Sequence, residues 1–341
     1  MSGAKRIRSL WLAAFFLPAV IAAMIGAAAA SASTPPVSGS AAGGPGAQSY
    51  LDSARKDCFG TARDNRSKVW FTVADGVLSD VFSPTIENSN VNTLQYVVTD
   101  GRTFSDLQER DMTYSVSSPD GTGMACRVTS RDDKHGFELV SDYITDPARA
   151  SVLVRTTLEP LTGASSTDLK DLKVYVRYDA TIDNTGGGGA TNANPNDAVI
   201  ADGALISSDT EKPTGPFAAQ VVGALVANRP FRRTSNGFVG TPSDGLSQLD
   251  TYHRLRDAYR TADAGNVVQT ALVNSHPGRP FTLALGFGPT ATDAVATAHL
   301  SASAPYAGTY AGYVGGWQAY DNTLQNNPER SYYLSANVIK A

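Results

Sequence analysis

The chain has 341 residues, 32 acidic against 28 basic, with a formal net charge of −4. That balance excludes a partner held through nucleic-acid phosphates, which needs a concentrated cationic face; the basic cluster Arg229, Arg232, Arg233 sits among Pro and Asn and reads as a solvated loop. Its two cysteines exclude a zinc site by spacing and a C-x-x-C redox motif.

Lys5, Arg6 and Arg8 precede an uncharged stretch from Leu10 to Ala30 and a small-x-small site, Ala30-Ser31-Ala32. This predicts an export signal over 1–32, cleaved after Ala32, and a secreted product with no stable membrane insertion. The stretch is long enough for a retained anchor, but Pro18 interrupts it and alanine dominates its second half. Cleavage removes three positive charges and no acid, taking the net charge from −4 to −7. Residues 33–49 (STPPVSGSAAGGPGAQS) read as a flexible linker. In an oxidising compartment Cys58 and Cys126 are expected to pair; two separate buried thiols are the alternative.

From Cys58 onward the pattern is strand. Val69–Val73 and Val77–Phe82 flank Asp75-Gly76, and Thr93–Val98 runs up to Asp100-Gly101, the dipeptide most typical of a tight hairpin. Between them Ser83–Asn88 is a polar turn with more side-chain acceptors than a turn needs. Strands follow at Met112–Val116, Cys126–Thr129, Phe137–Ile144, Val152–Leu158 and Leu172–Ile182, with turn residues at regular spacing. Within the last, Lys173–Tyr178 alternates as a strand does with one buried and one accessible face. Asp183–Asp197 is too rich in Gly and Asn to pack and reads as a long mobile loop. Strands resume at Ala198–Ile206, Ala218–Ala227, Val267–Val273 and Phe281–Phe287. Helical spacing appears late, in a short segment from Leu249 to Tyr259, in the alanine-rich 293–300, and from Trp317 to Leu324. The count of strands and their antiparallel connections predict a mainly β fold, a large two-sheet sandwich over 50–288, followed by a helical segment over 289–341.

Three stretches carry a resemblance: KVWFTVADGVLSDVFSPTIENSNVNTLQYVVTDG (68–101), DLQERDMTY (106–114), and GWQAYDNTL with SYYLSANVIKA at the end. They resemble the N-terminal domain of bacterial glucodextranases and glucoamylases, inverting exo-acting α-glucan hydrolases of glycoside hydrolase family 15. The resemblance implies an antiparallel super-β-sandwich of the galactose-mutarotase-like type, then a helical linker into a catalytic barrel of helix pairs. SYYLSANVIKA looks like the start of that barrel, which this chain lacks. It also implies that the general acid and base, about 6.5–9.5 Å apart in an inverting enzyme, are glutamates of the barrel.

The chain alone is therefore expected to be inactive. Asp75, Asp80, Glu87, Asp106, Glu109 and Asp111 are acid–base candidates by type only. The histidines His135, His253, His276 and His299 fall outside strand centres, against a mutarotase-like sugar epimerase, and His253 reads as part of a charged helix. No cofactor or metal is expected. Candidate carbohydrate-binding or domain-interface residues are Trp70, Glu87, Asn88, Arg110, Asp111, Trp317 and Tyr320. Tyr96, Tyr175 and Tyr178 could also stack on sugars, although aromatics on strands more often belong to a core. Trp317, Tyr320, Tyr332 and Tyr333 are expected to be exposed here and covered by a further domain. The expected role is a non-catalytic domain of a secreted α-glucan hydrolase, its partners an α-glucan or the catalytic barrel. A free-standing carbohydrate-binding protein is the alternative, with a sugar epimerase behind it.

Overall fold

A computed structural model describes residues 38–47, 56–163, 165–184, 196–210 and 219–341. The predicted export signal and part of the linker lie outside these residues, as does the centre of the Gly/Asn-rich loop.

In chain order the strands begin with β1 (Ser38–Ser40), β2 (Cys58–Thr61), β3 (Trp70–Ala74), β4 (Val77–Phe82), β5 (Ser89–Thr99) and β6 (Ser105–Leu107). The one-turn helix α1 (Gln108–Asp111) follows, then β7 (Thr113–Ser117), β8 (Cys126–Asp132), β9 (Phe137–Thr145), β10 (Ser151–Pro160) and β11 (Lys173–Asn184). Next come β12 (Asn196–Ala201), β13 (Ala204–Asp209), β14 (Val222–Ala227), β15 (Arg233–Phe238), α2 (Gly245–Tyr252), β16 (Tyr259–Gly265), β17 (Val267–Leu272) and β18 (Phe281–Gly288). Helices α3 (Ala291–Ser303), α4 (Tyr306–Asp321) and α5 (Arg330–Lys340) close the chain.

These strands form two sheets. The ten-stranded one has the order β1-β16-β12-β13-β14-β18-β10-β9-β8-β7. The eight-stranded one runs β15-β17-β11-β5-β4-β3-β2, with β6 on β5. All pairings are antiparallel except β1 with β16. Side chains alternate across a strand, so Val152, Val154 and Leu158 of β10, Phe281, Leu283 and Leu285 of β18, and Val174, Val176 and Tyr178 of β11 meet in the layer between the sheets. The intervening residues Leu153 and Ala284 point outward and are covered by α3 and α4. Val97 and Tyr175 on the other outer face are covered by Leu249 of α2 and by Leu255. Helix α3 can lie close because β18 offers Gly286, where a Cβ would come within 2.5 Å of the Ala298 amide nitrogen.

The structure corrects several sequence expectations. Ala198–Ile206 is not one strand but the hairpin β12–β13, turned at Asp202 (φ 52°) and Gly203 (φ 73°). The helix predicted over Leu249–Tyr259 ends at Tyr252: His253 takes a left-handed conformation, its N–H caps the Leu249 carbonyl, and Tyr259 opens a strand. His253 is thus a cap rather than a helical residue. Helix α4 is continuous from Tyr306, because Tyr306, Tyr310, Tyr313, Trp317 and Tyr320 recur at helical spacing and pack as one row against the large sheet. Both faces of β11 are buried, so no accessible side exists from Tyr175 to Tyr178, and Tyr96, Tyr175 and Tyr178 are core residues. Asp183 and Asn184 close β11 and Asn196 and Asp197 open β12; only 185–195 of the expected loop lies outside the described residues.

Candidate functional site

The residues predicted for a site fall into two groups, at opposite ends of β5. One group surrounds a cleft of about 410 Å³ lined by Thr61–Asn65, Lys68, Trp70, Pro84, Thr85, Trp317, Lys340 and Ala341. Three segments build it. The β2–β3 turn is wound around Asp64, whose carboxylate accepts from the Arg66 amide (2.9 Å) and from the Arg66 Nη2 (2.7 Å). Those hydrogen bonds pull the Asp64 pKa down to about 2. The turn leaves through Lys68, whose φ of 44° is uncommon for a residue with a side chain.

Trp70, half-buried at the start of β3, donates its indole N–H to the Ala341 carbonyl at 3.1 Å. From α4, Trp317 is fully buried and donates to the Thr61 carbonyl at 2.8 Å. The expectation that Trp317 stands exposed is therefore wrong, because α4 lays it against the outer face of the large sheet. Tyr320 meets Trp317 edge-on at 6.2 Å and lies under the Arg63 guanidinium at 5.4 Å. Tyr332 and Tyr333 on α5 are half-buried against each other, edge-on at 5.2 Å, rather than exposed.

The Ser83–Asn88 turn forms the third wall, and its surplus acceptors have a structural use. Thr85 donates to Asn88 Oδ1 (2.7 Å), and the Asn88 amide reaches Asp183 on β11. Asn90 donates to the Ser83 and Asn88 carbonyls (2.9 and 3.0 Å) and accepts from the Asp183 amide (3.0 Å). Asn88 is thus buried in the pinning of the turn, whereas Glu87 beside it is exposed.

The second group, Arg110 and Asp111, lies with α1 where β6 pairs Val97, eight residues along β5 from its start at Ser89, or about 26 Å. Arg110 holds both oxygens of Asp250 on α2 at 2.9 Å, and Asp111 accepts from the Leu107 amide at 2.8 Å. The bonds to Asp250 and to the neighbouring Asp111 raise the Arg110 pKa, and the first ties two helices together on the small sheet. The structure does not bring Arg110 and Asp111 to the Trp70 cleft.

Two polar clusters escaped sequence reasoning. Arg177 on β11 is buried between Asp244 (3.0 Å) and Asp179 (3.3 Å), and Asp244 also caps α2 through the Leu246 amide at 2.9 Å. Burial works against the charged guanidinium, yet the two carboxylates raise its pKa. In the second cluster, His135 Nδ1 lies 2.6 Å from Asp106 on β6 and 3.0 Å from Asp132 at the end of β8, and its ring stacks on Phe104 at 3.6 Å. Burial and the neighbouring Asp132 push Asp106 up to about 6, against the pull of His135. Burial would raise Asp132 too, but hydrogen bonds from Asp106 and from the His135 amide and ring hold it below the usual range. The three ligand atoms lie within 4.8 Å of one another and could hold a metal ion. Asp132 Oδ1, however, already accepts from the Lys134 and His135 amides, so the arrangement works as a polar link between the sheets. Cys58 and Cys126 form a second link: they are bonded, with Cα atoms 6.2 Å apart. Among the described residues no helix is long and apolar enough to cross a membrane.

With this geometry in view, residues 41–322 match the family described as glucodextranase, domain N. A glucoamylase of Clostridium sp. (strain G0005) is 29% identical over 308 residues, 89% of this chain and 41% of the relative. The crystal structure of a bacterial glucoamylase complexed with acarbose superposes with a TM-score of 0.77 and 27% identity, over 89% of this chain and 43% of that one. The chain thus spans about two fifths of the length of the glucoamylases it matches.

Proposed function

Because the chain belongs to the glucodextranase domain N family, we propose that it is the non-catalytic β-sandwich domain of a secreted α-glucan hydrolase. In this reading it carries no acid–base pair of its own and supports a helical catalytic domain corresponding to the part of the glucoamylase relatives it does not match. The observation that carries the reading is an apolar face left open on the last helix. Leu334 and Val338 of α5 are about half exposed, Ile339 is 87% exposed, and Ile86 on the Ser83–Asn88 turn is 62% exposed. Thr85 and Lys340, the chain neighbours of Ile86 and Ile339, line the same cleft, and we read these apolar side chains as parts of one docking face. Contiguous exposed apolar surface marks an interaction site. The candidate carboxylates fit a structural role: Asp106 and Asp111 are held by His135 and by Arg110 with the Leu107 amide.

The test is a domain swap. Residues 41–341 replace the matching segment of the Clostridium glucoamylase, and starch hydrolysis and melting are followed. The swap is expected to stay active, and Ile86→Asp with Ile339→Asp to lower its melting temperature. The chain alone is expected to release no glucose from starch or dextran. Glucose release by the chain alone would overturn the non-catalytic reading, and a swap indifferent to both aspartates would overturn the docking face.

A further inference from the structure

We propose that the end of the small sheet farthest from the docking face is a cationic surface for a linear polyanion, a flexible polymer with carboxylate or phosphate groups repeating along it. Six cations from four segments gather there. Lys173 opens β11 opposite Thr99, the last residue of β5, and its Nζ lies against Gly101, where an added Cβ would meet it at 2.6 Å. Arg102 follows in the same turn. Arg232 and Arg233 lead into β15, and Arg254 and Arg256 flank Leu255, which covers Tyr175. Leu272 pairs Tyr175 on one side and Arg233 on the other. Burial raises the Tyr175 hydroxyl pKa while Arg233 and Arg254 pull it back, so both cations stand close to that ring. Arg232 and Arg233 form only a short cluster in sequence; the fold adds the other four.

These charges are left open. Five of the six side chains are exposed and Arg233 is half-buried. Among the described residues none of the six is ion-paired with a carboxylate, whereas Arg110, Arg127 and Arg177 each are. Their partners are neutral: Arg233 donates to the Arg256 carbonyl at 2.6 Å, Arg232 to Asn274 Oδ1 at 2.7 Å, and the Arg256 guanidinium lies over the Tyr252 ring at 4.6 Å. Asp100 accepts from the amides of its own turn at 2.8 Å, and Asp250 is held by Arg110. Asp171 and Asp257 are the exposed acids beside the cluster, two against six. The chain as a whole has a net charge of −4, so this end runs against the average. Three strand spacings separate β5 from β15, about 14 Å, more than a single small anion can span. A polymer reaches all six and releases its counterions as it binds. Thr99 lies ten residues along β5 from Ser89, or about 33 Å, so this surface stays open when the docking face is covered.

The experiment titrates the full chain, at rising salt, with polygalacturonate and separately with inorganic polyphosphate, which distinguish a carboxylate source from a phosphate one. Dextran is the uncharged control. Saturable binding to at least one polyanion is expected, weakening as salt rises, with no response to dextran. Lys173→Gln with Arg254→Gln should weaken it about tenfold and flatten the slope of log K against log salt by about 0.7 for each cation removed. Lys68→Gln with Lys340→Gln removes the same charge at the opposite end of β5 and should change the affinity by no more than about twofold, since salt screens charges that far apart. If the first pair does not fold, Arg102→Gln with Arg256→Gln carries the test. The proposal is overturned if neither polyanion binds, if dextran binds as well as they do, if salt leaves the binding unchanged, or if the pairs at the two ends weaken it equally. Tighter binding to a DNA duplex than to either polymer overturns it as well. Each of these outcomes leaves the docking-face swap to be read by itself, because Ile86 and Ile339 lie at the other end.

Discussion

Over the ten-stranded sheet, α3 and α4 lay Ala294, Ala298, Tyr313 and Trp317 on Leu153, Ala224 and Ala284. Over the eight-stranded sheet the cover is thinner: α2 brings Leu249 onto Val97 and Tyr175, and beside it Asp244 reaches the buried Arg177. The first cover is apolar and non-directional, so its strength follows buried area and close approach. The second depends on charges whose desolvation is offset only while every partner is present. The comparison teaches that one sandwich is closed by two different kinds of physics, which respond differently to substitution.

The largest effect is expected on the polar side. Asp244→Ala leaves the buried Arg177 charge to Asp179 alone and removes the α2 cap, costing ~3–5 kcal/mol for the broken pair and about 1 kcal/mol for the cap. The triple change Arg177→Met, Asp179→Val, Asp244→Ser should recover most of this, as read by urea unfolding. A triple variant no more stable than Asp244→Ala would break the distinction. On the apolar side Trp317→Ala should cost ~3–5 kcal/mol, with no second substitution on the large sheet able to restore it.

Serine at both Cys58 and Cys126 opens a link that spans 68 residues and joins β2 to β8. The expected loss is up to about 4 kcal/mol in the chain-entropy account, and it should match the drop in melting temperature on adding reductant. Gly286→Ala drives a methyl into the α3 backbone and should cost about 1–3 kcal/mol; a neutral outcome would mean that α3 can lift away from the sheet. The smallest effect is pH-dependent. Asp106 titrates near 6 in the folded chain, above its ordinary 3.8. Its contribution is therefore full below about pH 4 and is lost as the pH rises through 6. Asp132, shifted the other way, contributes above about pH 4 and loses that contribution on acidification. Asp106→Asn should remove the first effect, so its melting temperature gains on the wild type between pH 4 and 6. A constant offset across that range would show that Asp106 does not titrate there.

Much of the sheet structure was legible because it is written locally. Asp75-Gly76 turns β3 into β4 with both residues at positive φ, and the apolar runs of β9, β10 and β18 mark strands within a residue or two. The same Asp-Gly signal at Asp202-Gly203 divides β12 from β13, inside an apolar run that reads as one strand. Strands β15 (RTSNGF) and β16 (YRTADAG) carried no such mark: they are polar, and they are strands because β17 and β12 pair their backbones. Of the candidate site, Trp70 and the Ser83–Asn88 turn were visible as residue types. Trp317 was visible in the same way, whereas Arg63 and the meeting of these segments in one cleft are supplied by the fold.

Family membership followed from the resemblance of stretches such as 68–101, and most strand and turn positions from the order of residues, since periodicity and turn chemistry act between near neighbours. The burial of Trp317, the ionic closure around Arg177 and the division of seven candidate residues between two ends of β5 were decided only in three dimensions. Each depends on contacts across tens to hundreds of residues, such as Arg177 with Asp244 or Trp317 with Thr61, and no local pattern encodes which partner a side chain will meet.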